Sequence, residues 1–160
     1  MHIRDYVGKH IHFIGIGGIS MSALASILLQ RGYVVSGSDM HASPLIDKLI
    51  EHGATCYIGH AAGQEAGAAL VVFSAAIPPT NPERVAADAA GIPSIDRATL
   101  LGELMEEYQQ SVGVAGTHGK TTTSSILATI LELAGKDPTI HIGGELPLIG
   151  GAMKLGGHGI

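Results

Sequence analysis

The sequence predicts an α/β fold built on a doubly wound parallel sheet, followed by the start of a second α/β domain. Three observations carry that expectation. Short apolar runs alternate with helical periodicities from the N-terminus to about residue 108. One of those runs, Leu70 to Ser74, is continuously apolar, as a strand covered on both faces requires. Two glycine-rich turns, near residues 15 and 116, each follow an apolar run and precede a helical pattern.

Taken in order, Ile11 to Ile14 reads as the first strand. A helix from about Gly18 to Arg31 carries Ile19, Leu24, Ile27 and Leu28 at helical spacing, with Gly32 as a left-handed cap. Tyr33 to Val35 is a second strand, ending at Ser36-Gly37-Ser38-Asp39. Ser43 is an N-cap with Pro44 at the first helical position, and Gly53 closes that helix. Thr55 to Ile58 and Leu70 to Ser74 supply two more strands. Asn81, Pro82 and Glu83 open a helix ending near Gly91, Ile92 to Ile95 is a fifth strand, and Asp96 caps a helix from Arg97 to about Tyr108.

The polar stretch from Glu106 to Ser111 marks a boundary, placing one domain at 1–108 and the next at 109–160. In the second, Val112 to Ala115 is expected as a strand and Thr121 to Ala134 as a helix. The last twenty residues are glycine-rich and weakly patterned. One strand, one helix and such a tail are too little for an independent core, so this second domain is expected to be incomplete here. Leu146, Leu148 and Ile149 would then be exposed and favour self-association.

Composition narrows the function classes. The 160 residues are 46% hydrophobic and 14% charged, enough to bury a core. A net charge of −5, with no run of Lys and Arg, argues against nucleic acid as a partner. No segment approaches a membrane span, and Cys56 has no second cysteine to pair with, so a soluble, cytoplasmic protein is expected. Among nine histidines, His10 and His12 share one face of a strand but lack a third ligand at zinc spacing.

The first glycine turn is Gly15-Ile16-Gly17-Gly18-Ile19-Ser20. It matches the first two glycines of G-x-G-x-x-G, has Ser20 at the third, and is followed by Asp39 about twenty residues on. This Rossmann-like arrangement calls for a diphosphate at a helix N-terminus, where free N–H groups and the helix dipole converge. The second turn, Gly116-Thr117-His118-Gly119-Lys120-Thr121-Thr122, matches the end of the P-loop pattern in compact form, with Val114 where the first glycine usually stands. Its backbone would cradle ATP phosphates, Lys120 would reach the β and γ oxygens, and the Thr121 hydroxyl would ligate Mg²⁺. An NAD-dependent oxidoreductase would use Gly15, Gly17 and Asp39 yet leave the second loop unexplained. A non-catalytic nucleotide-sugar-binding module is the other alternative.

The two loops, the Val35-to-Asp39 segment and the Ser74-to-Glu83 segment, in this order and spacing, resemble the opening of the Mur ligases of peptidoglycan synthesis. The resemblance covers essentially the whole chain. His118 resembles the members acting on UDP-N-acetylmuramate, adding L-alanine or a preformed tripeptide, since later-step members carry Asn there. The glycine-loop wording favours L-alanine. Ser20 and Ala23 stand where the family usually has glycine, which narrows the space beside the loop.

The resemblance implies that the first loop (Gly15, Gly17, Gly18, Ile19 and Ser20) holds the diphosphate of a UDP-sugar. It also implies that Asp39 helps place the nucleoside, with His60 and Ser74 as further substrate contacts. The second domain would be the truncated start of a P-loop ATPase domain, with ATP and Mg²⁺ as cofactors. Lys120, Thr121 and His118 would be the catalytic groups. The reaction implied joins the muramyl carboxylate to L-alanine through an acyl phosphate. No carboxylate after Thr121 is placed to complete a Mg²⁺ site, so the chain alone is expected to be inactive as a ligase.

Overall fold

The computed structural model describes residues 2–157. Backbone contacts divide the chain into two compact units, residues 1–103 and 104–160.

The first unit is a five-stranded parallel sheet flanked by helices. Its elements are β1 (His10–Ile14), α1 (Ile19–Gln30), β2 (Val34–Asp39), α2 (Pro44–Glu51), β3 (Thr55–Ile58), β4 (Leu70–Phe73), α3 (Pro82–Ala89), β5 (Ser94–Asp96) and α4 (Arg97–Glu106), which runs across the division. The strand order is β3-β2-β1-β4-β5. The chain therefore winds outward from β1 to β3, returns to the other side of β1, and winds outward again to β5. That reversal opens a crevice at the carboxyl ends of β1 and β4, where doubly wound sheets bind ligands.

The apolar runs end up where continuous burial demands. Ile11, Phe13 and Ile14 of β1 and Val71 and Val72 of β4 are fully buried, as are Leu24 and Leu28 of α1. Ile14 and Val71 pack with Ala68 and Ala87, and Phe73, Ile77 and Ile92 close over them. Helix starts follow the cap signals. Ser43 Oγ accepts from Ile46 N–H at 3.4 Å, and Asn81 Oδ1 accepts from the N–H groups of Glu83 and Arg84 at 2.9 and 3.3 Å.

Several boundaries differ from the sequence expectation. The second strand starts at Val34 rather than Tyr33. It continues through Ser36, Gly37 and Ser38 to Asp39, because the two serines are buried and bonded to other side chains. Gly37 makes that possible, since a Cβ there would lie 2.6 Å from the Phe13 carbonyl oxygen and 2.8 Å from Ile16 Cβ. The fifth strand shifts to Ser94–Asp96, and α4 ends at Glu106 rather than Tyr108. Cys56 is half-buried on the edge strand β3, and burial raises its thiol pKa.

The second unit holds α5 (Lys120–Leu133), β6 (Ile140–Leu146) and β7 (Gly151–Lys154). The expected strand over Val112 to Ala115 does not form. Those residues take no ladder partner, and Val112 is 68% exposed. The glycine-rich tail, expected to be weakly patterned, is an antiparallel hairpin of β6 and β7. Its alternation buries Ile140, Ile142 and Leu146 against Ala128, with Ile149 packed beside them. Of the three residues expected to be exposed, Leu146 is therefore buried and Ile149 half-buried, while Leu148 is exposed. Lys154 of β7 ties the hairpin to the helix and the following turn, at 2.5 Å from Glu132 and 2.7 Å from Asp137.

Candidate functional site

The first candidate site forms at the carboxyl ends of β1, β2 and β4. Gly15 leaves β1 with φ +85°, a conformation glycine adopts without penalty. Its N–H and that of Ile16 donate to the Ser38 carbonyl at 2.8 and 3.0 Å, which fastens the loop to β2. A Cβ on Gly15 would lie 3.2 Å from Ser74 Oγ, so Ser74 borders the loop at the end of β4. Gly18 then caps α1 without a side-chain bond, leaving the helix start to whatever anion approaches it.

Asp39 also comes to the loop, in a particular way. Its Oδ2 accepts from Gly17 N–H at 2.9 Å and its Oδ1 from His41 N–H at 3.2 Å. A Cβ on Gly17 would lie 2.9 Å from that same Oδ2, so a larger residue there would push the Asp39 carboxylate aside. Asp39 thus braces the loop it was expected to serve only as a nucleoside contact. Ile19, 45% exposed, and Ser20 open the helix. Arg97, the first residue of α4, donates to Ser20 Oγ at 3.2 Å and brings a guanidinium to the helix start. Nothing in the local sequence marks Arg97, which opens α4, 77 positions after Ser20; a cation there would complement an anion at the helix start.

Beneath the loop lies a buried polar cluster. Glu83 is fully buried, and its carboxylate meets His12 Nε2 at 2.6 Å, Ser38 Oγ at 2.7 Å and His60 Nδ1 at 2.8 Å. Ser36 Oγ extends the cluster, lying 2.7 Å from His12 Nδ1 and 2.6 Å from His10 Nε2. Burial alone would raise the Glu83 carboxyl, but the hydrogen bonds from His12, Ser38 and His60 outweigh it and hold the group below its ordinary range. His60 therefore joins the site through Ser38, whose backbone carbonyl holds the glycine loop and whose hydroxyl touches the imidazole at 2.9 Å. In the sequence Glu83 reads only as a helix opener. The available signal is polar residues standing in a strand otherwise wholly buried.

The second candidate site belongs to the second unit. Gly116 has φ +150°, and Gly119, at φ +78°, caps α5. Thr117, His118, Lys120, Thr121 and Thr122 are all exposed around this turn. The Lys120 ammonium donates to the carbonyls of Gly116 and Thr117, the latter at 3.2 Å. An ammonium within reach of its own loop, with a hydroxyl one residue on at the helix start, fits the phosphates and one ligand of a Mg²⁺ ion. Among the described residues no three His, Cys, Asp or Glu side chains gather as a metal site. Nor is any helix among them long and apolar enough to cross a membrane.

Comparison with known proteins agrees with this architecture. The profile described as the Mur ligase family, catalytic domain, matches residues 10–109. A UDP-N-acetylmuramate--L-alanine ligase of Alkaliphilus metalliredigens is 54% identical over 148 residues, covering 92% of this chain and 32% of that protein. The ligase of the same name from Acetivibrio thermocellus is 55% identical with the same coverage. The chain thus spans about a third of the length of these relatives. Among solved structures, the UDP-N-acetylmuramate-alanine ligase MurC of Thermotoga maritima aligns with a TM-score of 0.86 at 33% identity, covering 92% of this chain and 35% of that one. The UDP-N-acetylmuramate:L-alanyl-gamma-D-glutamyl-meso-diaminopimelate ligase of Neisseria meningitides aligns at 0.85 and 38% identity, covering 92% and 46%. With a matching profile over most of its length and a sheet that superposes on solved members, this chain belongs to the Mur ligase family.

Proposed function

We propose that this chain carries the UDP-sugar-binding unit and the ATP loop of a ligase that joins L-alanine to UDP-N-acetylmuramate. One observation supports this above the rest: a glycine loop at the switch point of the first sheet and a Gly-Lys-Thr turn at the start of α5 occur in one chain. A dehydrogenase has no use for the second. The naming of relatives at 54% and 55% identity supports L-alanine as the amino acid.

In this reading the N–H groups at the start of α1 bind the diphosphate, and Arg97 supplies the opposing positive charge. Ser74 borders the same crevice, and Asp39 keeps the loop in shape. ATP gives its γ-phosphoryl group to the muramyl carboxylate, releasing ADP and forming an acyl phosphate, and the amine of L-alanine then attacks the acyl carbon and displaces inorganic phosphate. Lys120 turns from its loop carbonyls to the phosphate oxygens, where its charge counts most as negative charge spreads. Thr121 offers its hydroxyl to Mg²⁺, and His118 lies beside the phosphates. Such precursor chemistry, fed by ATP, belongs to the cytoplasm. These 160 residues bind the nucleotide-sugar and do not turn over alone.

Calorimetric titration with UDP-N-acetylmuramate, with NAD⁺ as the matched control, tests this reading. Binding of the UDP-sugar alone supports it; binding of NAD⁺ instead returns the first loop to an oxidoreductase. Release of ADP dependent on both UDP-N-acetylmuramate and L-alanine would refute the inactivity of the isolated chain.

A further inference from the structure

The Glu83 cluster fixes where protons sit, because each member has few to give. Ser38 has one hydroxyl hydrogen, and it is donated to Glu83 Oε1 at 2.7 Å. Ser38 Oγ can then only accept in its 2.9 Å contact with His60 Nδ1. The same Nδ1 lies 2.8 Å from the Glu83 carboxylate, also an acceptor. Both contacts are satisfied by one arrangement, a hydrogen on His60 Nδ1. The other nitrogen, Nε2, makes no hydrogen bond to any described residue, and the His60 side chain is 11% exposed. His12 closes the other carboxylate oxygen at 2.6 Å, so Glu83 has no freedom to turn away.

Resting on the first site as a nucleotide-sugar site, we propose that Glu83 is a positioning residue that locks His60 as its Nδ1–H tautomer. The Nε2 lone pair then accepts a hydrogen bond from a hydroxyl or imide N–H of the bound nucleoside. An unprotonated nitrogen pairs with a donor and repels a phosphate oxygen, so His60 reads the nucleoside while the α1 start and Arg97 take the diphosphate. Ser38 joins the two tasks physically, since its carbonyl holds Gly15 and Ile16 and its hydroxyl holds His60. Glu83 acts through His60, from below.

The first test needs no ligand and no variant. Two-bond ¹H–¹⁵N correlation spectra of the histidine rings at pH 7.5 are expected to show His60 protonated on Nδ1 and bare on Nε2. An Nε2–H tautomer, or an imidazolium protonated on both nitrogens, overturns the proposal, whatever the chain binds. The second test titrates uridine and UDP into the wild type, His60→Ala, Glu83→Gln and the double variant. His60→Ala is expected to weaken both ligands by a similar factor, about tenfold, the loss of one good hydrogen bond. Glu83→Gln is expected to mix the His60 tautomers and weaken both ligands, with His60→Ala adding less than about twofold in that background. Loss confined to UDP, or independent losses that multiply fully, would overturn it. If the wild type binds neither uridine nor UDP, the nucleotide-sugar reading of the site falls with the role of Nε2, while the ring spectra still decide whether Glu83 sets the tautomer.

Discussion

The glycine loop after β1 and the lysine loop before α5 look alike as sequence, each a glycine-rich turn ahead of a helix, but they are held in opposite ways. The first is tied from every side: Gly15 and Ile16 to the Ser38 carbonyl, Gly17 to Asp39, Ser20 to Arg97, and Ser38 itself to a buried carboxylate. The second follows an unpaired segment, and its lysine bonds to its own loop. Glycines permit a phosphate loop; neighbouring strands and buried polar partners build it. A site held by distant partners is stiff and costly to disturb, whereas one held by itself tolerates change.

The sharpest way to break this contrast is to remove a support beneath the first loop. His12→Ala leaves the Glu83 carboxylate buried with one oxygen unpartnered, and an uncompensated buried charge costs about 3–5 kcal/mol. Urea unfolding followed by circular dichroism should record a loss of that order. A loss below about 1 kcal/mol would show that the cluster relaxes freely. Gly37→Ala is expected to cost less, about 1–3 kcal/mol, because the new methyl must push against the β1 backbone and Ile16. Gly102→Ala on α4, with nothing near its Cβ, serves as the control and should stabilise by up to about 1 kcal/mol.

Acid sharpens the comparison further. Glu83 is held below its ordinary value of 4.5 in the folded chain, so its contribution to stability is complete above that value. The contribution fades as pH falls from about 4.5 through the lower folded value. Unfolding midpoints of the wild type should therefore decline over that acidic range, and those of Glu83→Gln should decline less. Equal slopes would remove Glu83 from the account. The smallest structural effect is expected at Lys120, which is exposed. Lys120→Ala should leave the urea midpoint unchanged while abolishing Mg-ATP binding in a fluorescence titration, and retained ATP binding would reassign the second loop.

Much of the first unit was legible in the sequence, because its signals are local. A continuous apolar run marks β4 and a short, mostly apolar one marks β1, while Ser43-Pro44 and Asn81-Pro82 announce α2 and α3. The glycine loop and Asp39 were legible too, though Asp39's bond to Gly17 was not. What escaped were arrangements set by tertiary partners. Ser36 and Ser38 at the end of the second strand carry no local sign of burial, which comes from His10, His12 and Glu83 bonding to them. His12 and Glu83 stand 71 positions apart, beyond the reach of any periodicity. The error at Val112 to Ala115 has the converse cause: an apolar run signals a strand only where a partner edge is available. Gly143 and Gly144 likewise hid β6, whose Ile140 and Ile142 do alternate.

The central place of β1 has a consequence for how the chain is made. β1 pairs with β2 on one side and β4 on the other, yet β4 begins roughly 56 residues after β1 ends. At ribosomal speeds of about 5–20 residues per second, β1 waits about 3–11 s for its second neighbour. For that interval a strand carrying Ile11, Phe13 and Ile14 has one open edge, the moment at which a nascent chain is most exposed to mispairing. The β6–β7 hairpin, whose strands are separated by the four residues 147–150, has no such wait and can close within microseconds of emerging.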